Sequence, residues 1–275
     1  MSTSAYQTAK AATNANRPGE GLAGAEELLD ILFDVSASSE SLMATRHQAR
    51  VGGCDLEIPK FMLLGQRAGG KPIRVALFAG IDDHGAMDGI AAITRLLLQA
   101  ELNPALARDY ALFAYPLVNA SEYRPTSGNL EPFGRRFAWE RADGDVRFFR
   151  SELRKWRFDG ILTLRTDPEA ETFHATVRSE LLAREVVRPA LEAVGRVTPL
   201  NSRPIKLRPG DLRTRLADHA DGRLTPPPEL RPYPFEVELF APGAVSRELR
   251  IRSLFIGVHE ILENYRRLLA HATDI

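Results

Sequence analysis

One cysteine, Cys54, stands in a chain of 275 residues. A disulfide framework and a cysteine-built metal motif are therefore excluded, and a reducing compartment is implied. Net charge is missing too, since 36 Lys and Arg balance 36 Asp and Glu. Without an excess of either sign, no long-range field draws the chain to nucleic acid or to an anionic membrane, and neither is expected as a partner. Lysine is scarce: Lys10, Lys60, Lys71, Lys155 and Lys206 are the whole set. Positive charge is thus carried by arginine, whose planar guanidinium suits carboxylate and phosphate clamps, although an alanine- and arginine-rich chain also follows from genome composition. No apolar run approaches the roughly 20 residues of a membrane span. Residues 1–20 are rich in Ala, Ser, Thr and Asn and lack the apolar centre of a signal peptide. A cytoplasmic protein is expected. The Gly-Gly turns lack the Lys-Ser/Thr pair of a phosphate loop, which leaves little case for nucleotide binding.

What is present is an alternation of helix and strand patterns. Leu28, Leu29, Ile31, Leu32 and Val35 recur at helical spacing, and 56–64 alternates loosely before the turn at Ala68, Gly69 and Gly70, which reads as a helix followed by a hairpin. The nearly continuous apolar run 73–79 suits a strand buried on both faces. Ile90, Ile93, Leu96, Leu97 and Ala100 predict a helix returning along it. A second buried strand at 110–118, a helix at 146–156 and a third strand at 160–164 follow. Prolines and arginines crowd 203–234, read as an ordered surface excursion; 235–240 then finishes the sheet. A stripe from Ile251 through Leu254, Phe255, Val258, Ile261, Leu262 and Tyr265 to Leu268 and Leu269 predicts a closing helix. The expectation is a flexible segment 1–22 and one α/β domain over 23–275, a three-layer α/β/α sandwich around a mixed, mostly parallel sheet.

Four short stretches carry the functional signal. They are Phe78-Ala79-Gly80-Ile81-Asp82-Asp83-His84-Gly85; Tyr115-Pro116-Leu117-Val118-Asn119 with Gly134-Arg135-Arg136-Phe137; Phe158-Asp159-Gly160-Ile161-Leu162-Thr163-Leu164-Arg165; and Pro234-Phe235-Glu236-Val237-Glu238-Leu239-Phe240. In order and spacing they resemble the zinc carboxypeptidase superfamily, especially its bacterial carboxypeptidase-like and succinylglutamate desuccinylase/aspartoacylase-like branch. That family reads F-A-G-I-H-G-D-E, Y-P-x-x-N, D-L-N-R-x-F, F-D-x-x-I-x-L-H and P-F-E-I-x-x-E. The resemblance implies an active site at the carboxyl ends of the strands, with zinc held by His, Glu and His and a Glu as general base.

At each of those positions this chain departs from the family. Asp82 replaces the first His and Gly85 the Glu. Sliding the match so that His84 and Gly85 meet the family's His-Gly puts Met87 at the Glu position, and a thioether is a poor zinc donor. Arg165 replaces the third ligand, where an obligate cation would repel a divalent ion. Phe240 replaces the general base and cannot accept a proton. Glu236 and Glu238 share its face but step away by roughly 6.6 Å per two residues.

The resemblance does carry Arg135, at the position that grips a substrate carboxylate, and Asn119 after Tyr-Pro. The residue preceding Arg135 in the family's D-L-N-R is an amide, and here it is Gly134. Plainer roles stand beside these: Asp82 or Asp83 as a cap for the helix beginning near His84, His84 as a hydrogen-bonded loop residue, and Arg165 paired with Asp82 or Asp83. Asp167, Glu169, Glu171 and His174 read as an acidic, solvated turn leading into a strand.

The expectation is therefore a carboxypeptidase-like pseudoenzyme without a cofactor. It would bind a carboxylate-bearing small molecule or peptide through Arg135, Asn119 and Arg165, or a protein partner or second copy of itself. The alternatives are a metal-dependent carboxypeptidase or amidohydrolase with a rewired zinc site built from His84, Asp88, Asp82 and Asp167, and a scaffold protein whose cleft is filled.

Overall fold

A computed structural model of the chain describes residues 20–51, 54–67, 69–81, 85–118, 144–177, 179–207 and 235–273. The elements are α1 (Glu20–Ser36), β1 (Leu42–Val51), β2 (Cys54–Leu64), β3 (Ile73–Phe78), α2 (Ala86–Leu102), β4 (Tyr110–Tyr115), α3 (Gly144–Trp156), β5 (Gly160–Asp167), β6 (Phe173–Val177), α4 (Arg188–Val194), β7 (Leu200–Leu207), β8 (Phe235–Pro242) and α5 (Arg247–Thr273). Among the described residues the strands form one 8-stranded sheet in the order β1-β2-β4-β3-β5-β8-β6-β7. Pairing is parallel at β4–β3, β3–β5, β5–β8 and β6–β7, and antiparallel at β1–β2, β2–β4 and β8–β6. This is the mixed, mostly parallel sheet expected, and all four strands predicted at 73–79, 110–118, 160–164 and 235–240 lie in it.

The central strands read as unbroken apolar runs because both of their faces are covered. Val75 and Leu77 of β3 enter a core with α1, α2, α4 and α5, while Ala76 and Phe78 enter a second core with α3. The helix stripes point inward as their spacing requires: Ile90, Ile93, Leu96 and Leu97 of α2, and Leu254, Val258, Ile261, Leu262 and Tyr265 of α5, are all buried. Gly160 opens β5 where a Cβ would lie 1.8 Å from the Phe235 ring of β8. That ring in turn stacks on Tyr265 at 4.3 Å.

Three readings of the sequence need revision. The arginine-rich excursion begins later than 203, because Arg203 to Leu207 belong to β7; residues 208–234 lie outside the described residues. β1 and the helical stretch from Glu180 to Val194 were not anticipated, and the strand read after the acidic turn is β6, which already includes His174. The half-exposed pattern of β1 gives weak periodicity, and pairing with β2 is what makes it a strand. The turn at Gly69 and Gly70 joins two strands that both pair with β4, so the hairpin of this region is β1–β2.

On the α3 side a polar knot is buried. Glu152 forms an ion pair with Lys60 of β2, accepts the Tyr115 hydroxyl proton at 2.6 Å and accepts from the Trp156 indole at 3.1 Å. Burial, with Glu152 beside it, pushes the Tyr115 phenol far above its ordinary range, so it stays protonated. His47 stacks on Phe148 at 4.2 Å, and its desolvation lowers its pKa below the ordinary 6.5, an effect that nearby Glu152 opposes and Lys60 reinforces. The unfolded chain then takes up the His47 proton before the folded one does. Stability should therefore fall as pH drops below about 6.5, and His47→Gln should flatten that slope in denaturant titrations run between pH 7 and pH 5.

On the opposite side Asp88, in the first turn of α2, is 1% exposed. It accepts from Arg250 Nε of α5 at 2.6 Å and from Thr166 Oγ1 of β5 at 3.0 Å, with Arg247 at 3.6 Å. Arg250 also donates to the Val245 carbonyl at 2.7 Å. Removing either member strands a buried charge. Arg250→Ala should cost on the order of 3 kcal/mol in chemical unfolding, and the double change Asp88→Leu with Arg250→Leu should recover part of that loss.

Candidate functional site

β4, β3, β5 and β8 run parallel, so their carboxyl ends open on one edge of the sheet. There the described parts of the four sequence stretches converge. Register sets the arrangement: Thr163 is opposite Glu238, Arg165 is opposite Phe240, and across β8 Glu238 and Phe240 are opposite Thr176 and His174 of β6. Side chains alternate along a strand. Leu162, Leu164, Val237 and Leu239 go to the core under α2 and α5, which leaves Arg165, Glu238, Phe240, His174 and Thr176 together on the other face.

On that face three flat groups stand side by side. The Arg165 guanidinium lies 5.3 Å from the Phe240 ring centre, and the His174 ring stacks on Phe240 from the next strand at 4.7 Å with planes 7° apart. Arg165 Nη1 is 3.9 Å from Glu238 Oε1, and Glu238 Oε2 accepts from Thr176 Oγ1 at 3.2 Å. His174 Nε2 is 3.9 Å from Asp167 Oδ2, whose partner oxygen accepts the Glu169 amide at 3.1 Å. Asp167 is the last residue of β5. The turn that follows exposes Glu169 and Glu171 as read from sequence, but His174 is a buried sheet residue. Its period-2 placement beside Ala175 and Thr176 is a signal too short to read without its neighbour β8.

Gly85 sits at the N-cap of α2 with φ 71° and has no side chain with which to cap it. The helix starts at Ala86, and the carboxylate of its first turn is Asp88; the capping role read for Asp82 or Asp83 falls outside the described residues. A Cβ on Gly85 would lie 2.3 Å from Thr166 Cβ and 2.5 Å from its Oγ1. Met87 points away from the strand ends: it packs against the core, with its Cε 3.3 Å from where a Cβ on Gly24 of α1 would stand. Asp88 has its carboxylate engaged by Arg250, Thr166 and Arg247. Asp82, Asp83, His84, Asn119 and Arg135 lie outside the described residues.

The zinc site that the motifs imply needs three His or Glu donors and an open position for water. At the described positions the fit fails. Gly85 has neither a donor nor room for one, Arg165 brings a fixed positive charge, and Phe240 offers an apolar ring packed between a guanidinium and an imidazole. No group of three or more His, Cys, Asp or Glu side chains is placed to hold a metal among the described residues. Nor is any helix there long and apolar enough to cross a membrane.

No family model matches the chain, and no curated protein matches it by sequence. Its fold does match solved structures. A metallo-carboxypeptidase from Burkholderia cenocepacia superposes with a TM-score of 0.62 at 12% identity, over 88% of this chain and 70% of that one. A metallo-carboxypeptidase from Pseudomonas aeruginosa in complex with (2-guanidinoethylmercapto)succinic acid gives 0.60 at 14% identity, over 84% and 66%. Thrombin activatable fibrinolysis inhibitor gives 0.57 at 9% identity, over 88% and 73%. The fold is that of the zinc carboxypeptidase-like structures.

The Gly85 geometry makes one outcome specific. Restoring the family residue by Gly85→Glu should lower Tm by several degrees, because a β-branched neighbour and a left-handed backbone both resist the side chain. It should not raise bound zinc above the wild-type level in elemental analysis.

Proposed function

We propose that this chain is a carboxypeptidase-fold protein that binds its ligand without catalytic zinc and without turnover. Its strand-end cleft takes a carboxylate-bearing small molecule or peptide, with Arg165 as an anchor and with Arg135 and Asn119 in the ligand-gripping roles that the motif resemblance assigns them. The observation that carries this reading is the contact between Arg165 and Phe240. The positions of the third metal ligand and the general base are register partners in the sheet. They are filled by groups that pack on each other and can neither coordinate a metal nor accept a proton.

Retention of the carboxylate-recognition half of the cleft is supported by the 32% exposure of the Arg165 side chain, against 12% for Glu238 beside it. The fixed charge and planar fork of guanidinium suit a carboxylate. The Pseudomonas aeruginosa neighbour holds a succinic acid derivative, the same ligand chemistry on a related fold. A lone cysteine fits the reducing cytoplasm. The rewired-hydrolase alternative loses support at Asp88, whose carboxylate already neutralises Arg250.

Protein purified without chelator should hold well under one zinc per chain by elemental analysis, and a stoichiometric ion would overturn the reading. Small dicarboxylates should bind by calorimetry in the millimolar range, about 4 kcal/mol. Arg165→Gln and Arg135→Ala should each weaken that binding about tenfold. Chelator-sensitive hydrolysis of an acyl amino acid would instead establish an enzyme.

A further inference from the structure

The charge around Arg165 deepens this reading by narrowing the ligand class. It rests on Arg165 being the carboxylate anchor. Along β5 the face that carries Arg165 carries Asp167 next, about 6.6 Å further on at two residues of strand rise. In the other direction, Glu238 lies opposite Thr163, one step before the Arg165–Phe240 pair. The guanidinium is thus bracketed by carboxylates on the same surface. Asp167 is 34% exposed at its side chain, comparable to Arg165 itself.

Both carboxylates are held in place rather than loose. Asp167 is oriented by the Glu169 amide on one oxygen and faces His174 with the other. Glu238 is held by Thr176. Its 3.9 Å approach to Arg165 exceeds hydrogen-bond length, so the contact is an ion pair without a shared proton. The anchor for an anion therefore sits between two fixed negative groups. A ligand that is only anionic gains Arg165 but meets repulsion from Asp167 and Glu238. One that carries a positive charge a few ångströms from its carboxylate satisfies both signs at once.

We propose that the shelf formed by Arg165, Asp167 and Glu238 recognises a free zwitterion of the α-amino acid type. The carboxylate lies on the Arg165 guanidinium and the ammonium against Asp167 and Glu238. The Phe240 ring, held upright between Arg165 and His174, is the apolar surface beside them.

The test compares glutamate, N-acetylglutamate and glutarate on the full chain by calorimetry at pH 7.5. These share the dicarboxylate and differ in the ammonium. Glutamate should bind at least fivefold more tightly than the other two. Asp167→Asn and Glu238→Gln should abolish that preference while leaving glutarate binding equal or stronger. Arg165→Gln should weaken all three ligands.

Asp167 is more exposed than Glu238, so its variant remains informative if Glu238→Gln fails to fold. Equal affinity for the three ligands, all weakened by Arg165→Gln, overturns the zwitterion assignment and leaves the carboxylate reading intact. A preference for glutamate that survives both acidic-residue variants also overturns it, since the ammonium is then held elsewhere. Absence of binding by all three removes both readings.

Discussion

The buried pairing of Asp88 with Arg250 is the constraint on which the rest of the strand-end architecture depends. Asp88 belongs to the first turn of α2, Arg250 to the first turn of α5, and Thr166, which also donates to Asp88, to the end of β5. Arg250 further holds the Val245 carbonyl in the connection between β8 and α5. One charge pair thus sets the height at which two helices leave the sheet and where β5 and β8 stop. A buried pair of this kind adds little net stability over an apolar substitute, but its directional bonds make any other placement costly. Gly85 and Thr166 come into contact because this pairing draws the start of α2 onto β5.

That closeness connects the fold to the chemistry. In a zinc peptidase cleft, the loop after the first parallel strand must hold a carboxylate out toward a metal. Here Gly85, at the end of that loop, is pressed against Thr166, with no volume for any side chain. Arg165 and Phe240 continue the same change one step along the sheet, where a cation and a ring occupy each other's surface. His174 completes the stack from a third strand. The polar groups on this face, Arg165, Glu238, Asp167 and Thr176, hold opposite charges in fixed positions beside the stacked rings.

Much of the layered fold could be read in advance. The apolar runs that became β3, β4, β5 and β8 and the stripes that became α2 and α5 are long, and each is buried as a unit, so local periodicity and global packing agree. The order of short motifs was enough to name the fold, which superposition with metallo-carboxypeptidases bears out. β1 and β7 escaped detection because each is an edge strand with a half-exposed pattern that becomes a strand only by pairing with its one neighbour, β2 or β6.

For the site the division is sharper. The sequence by itself determined that Gly85, Arg165 and Phe240, which the motif resemblance places at ligand and base positions, can neither hold zinc nor accept a proton, because the identity of a side chain limits its chemistry wherever it is placed. That Arg165 would lie on Phe240, that His174 would close the stack, and that Asp88 would be neutralised by Arg250 could not be read from the chain. These groups are separated by 75, 66 and 162 residues along it. The first two pairs meet only through parallel and antiparallel register, where a slip of one residue would send each side chain to the opposite face of the sheet, and the third meets only because α2 and α5 pack side by side on that sheet.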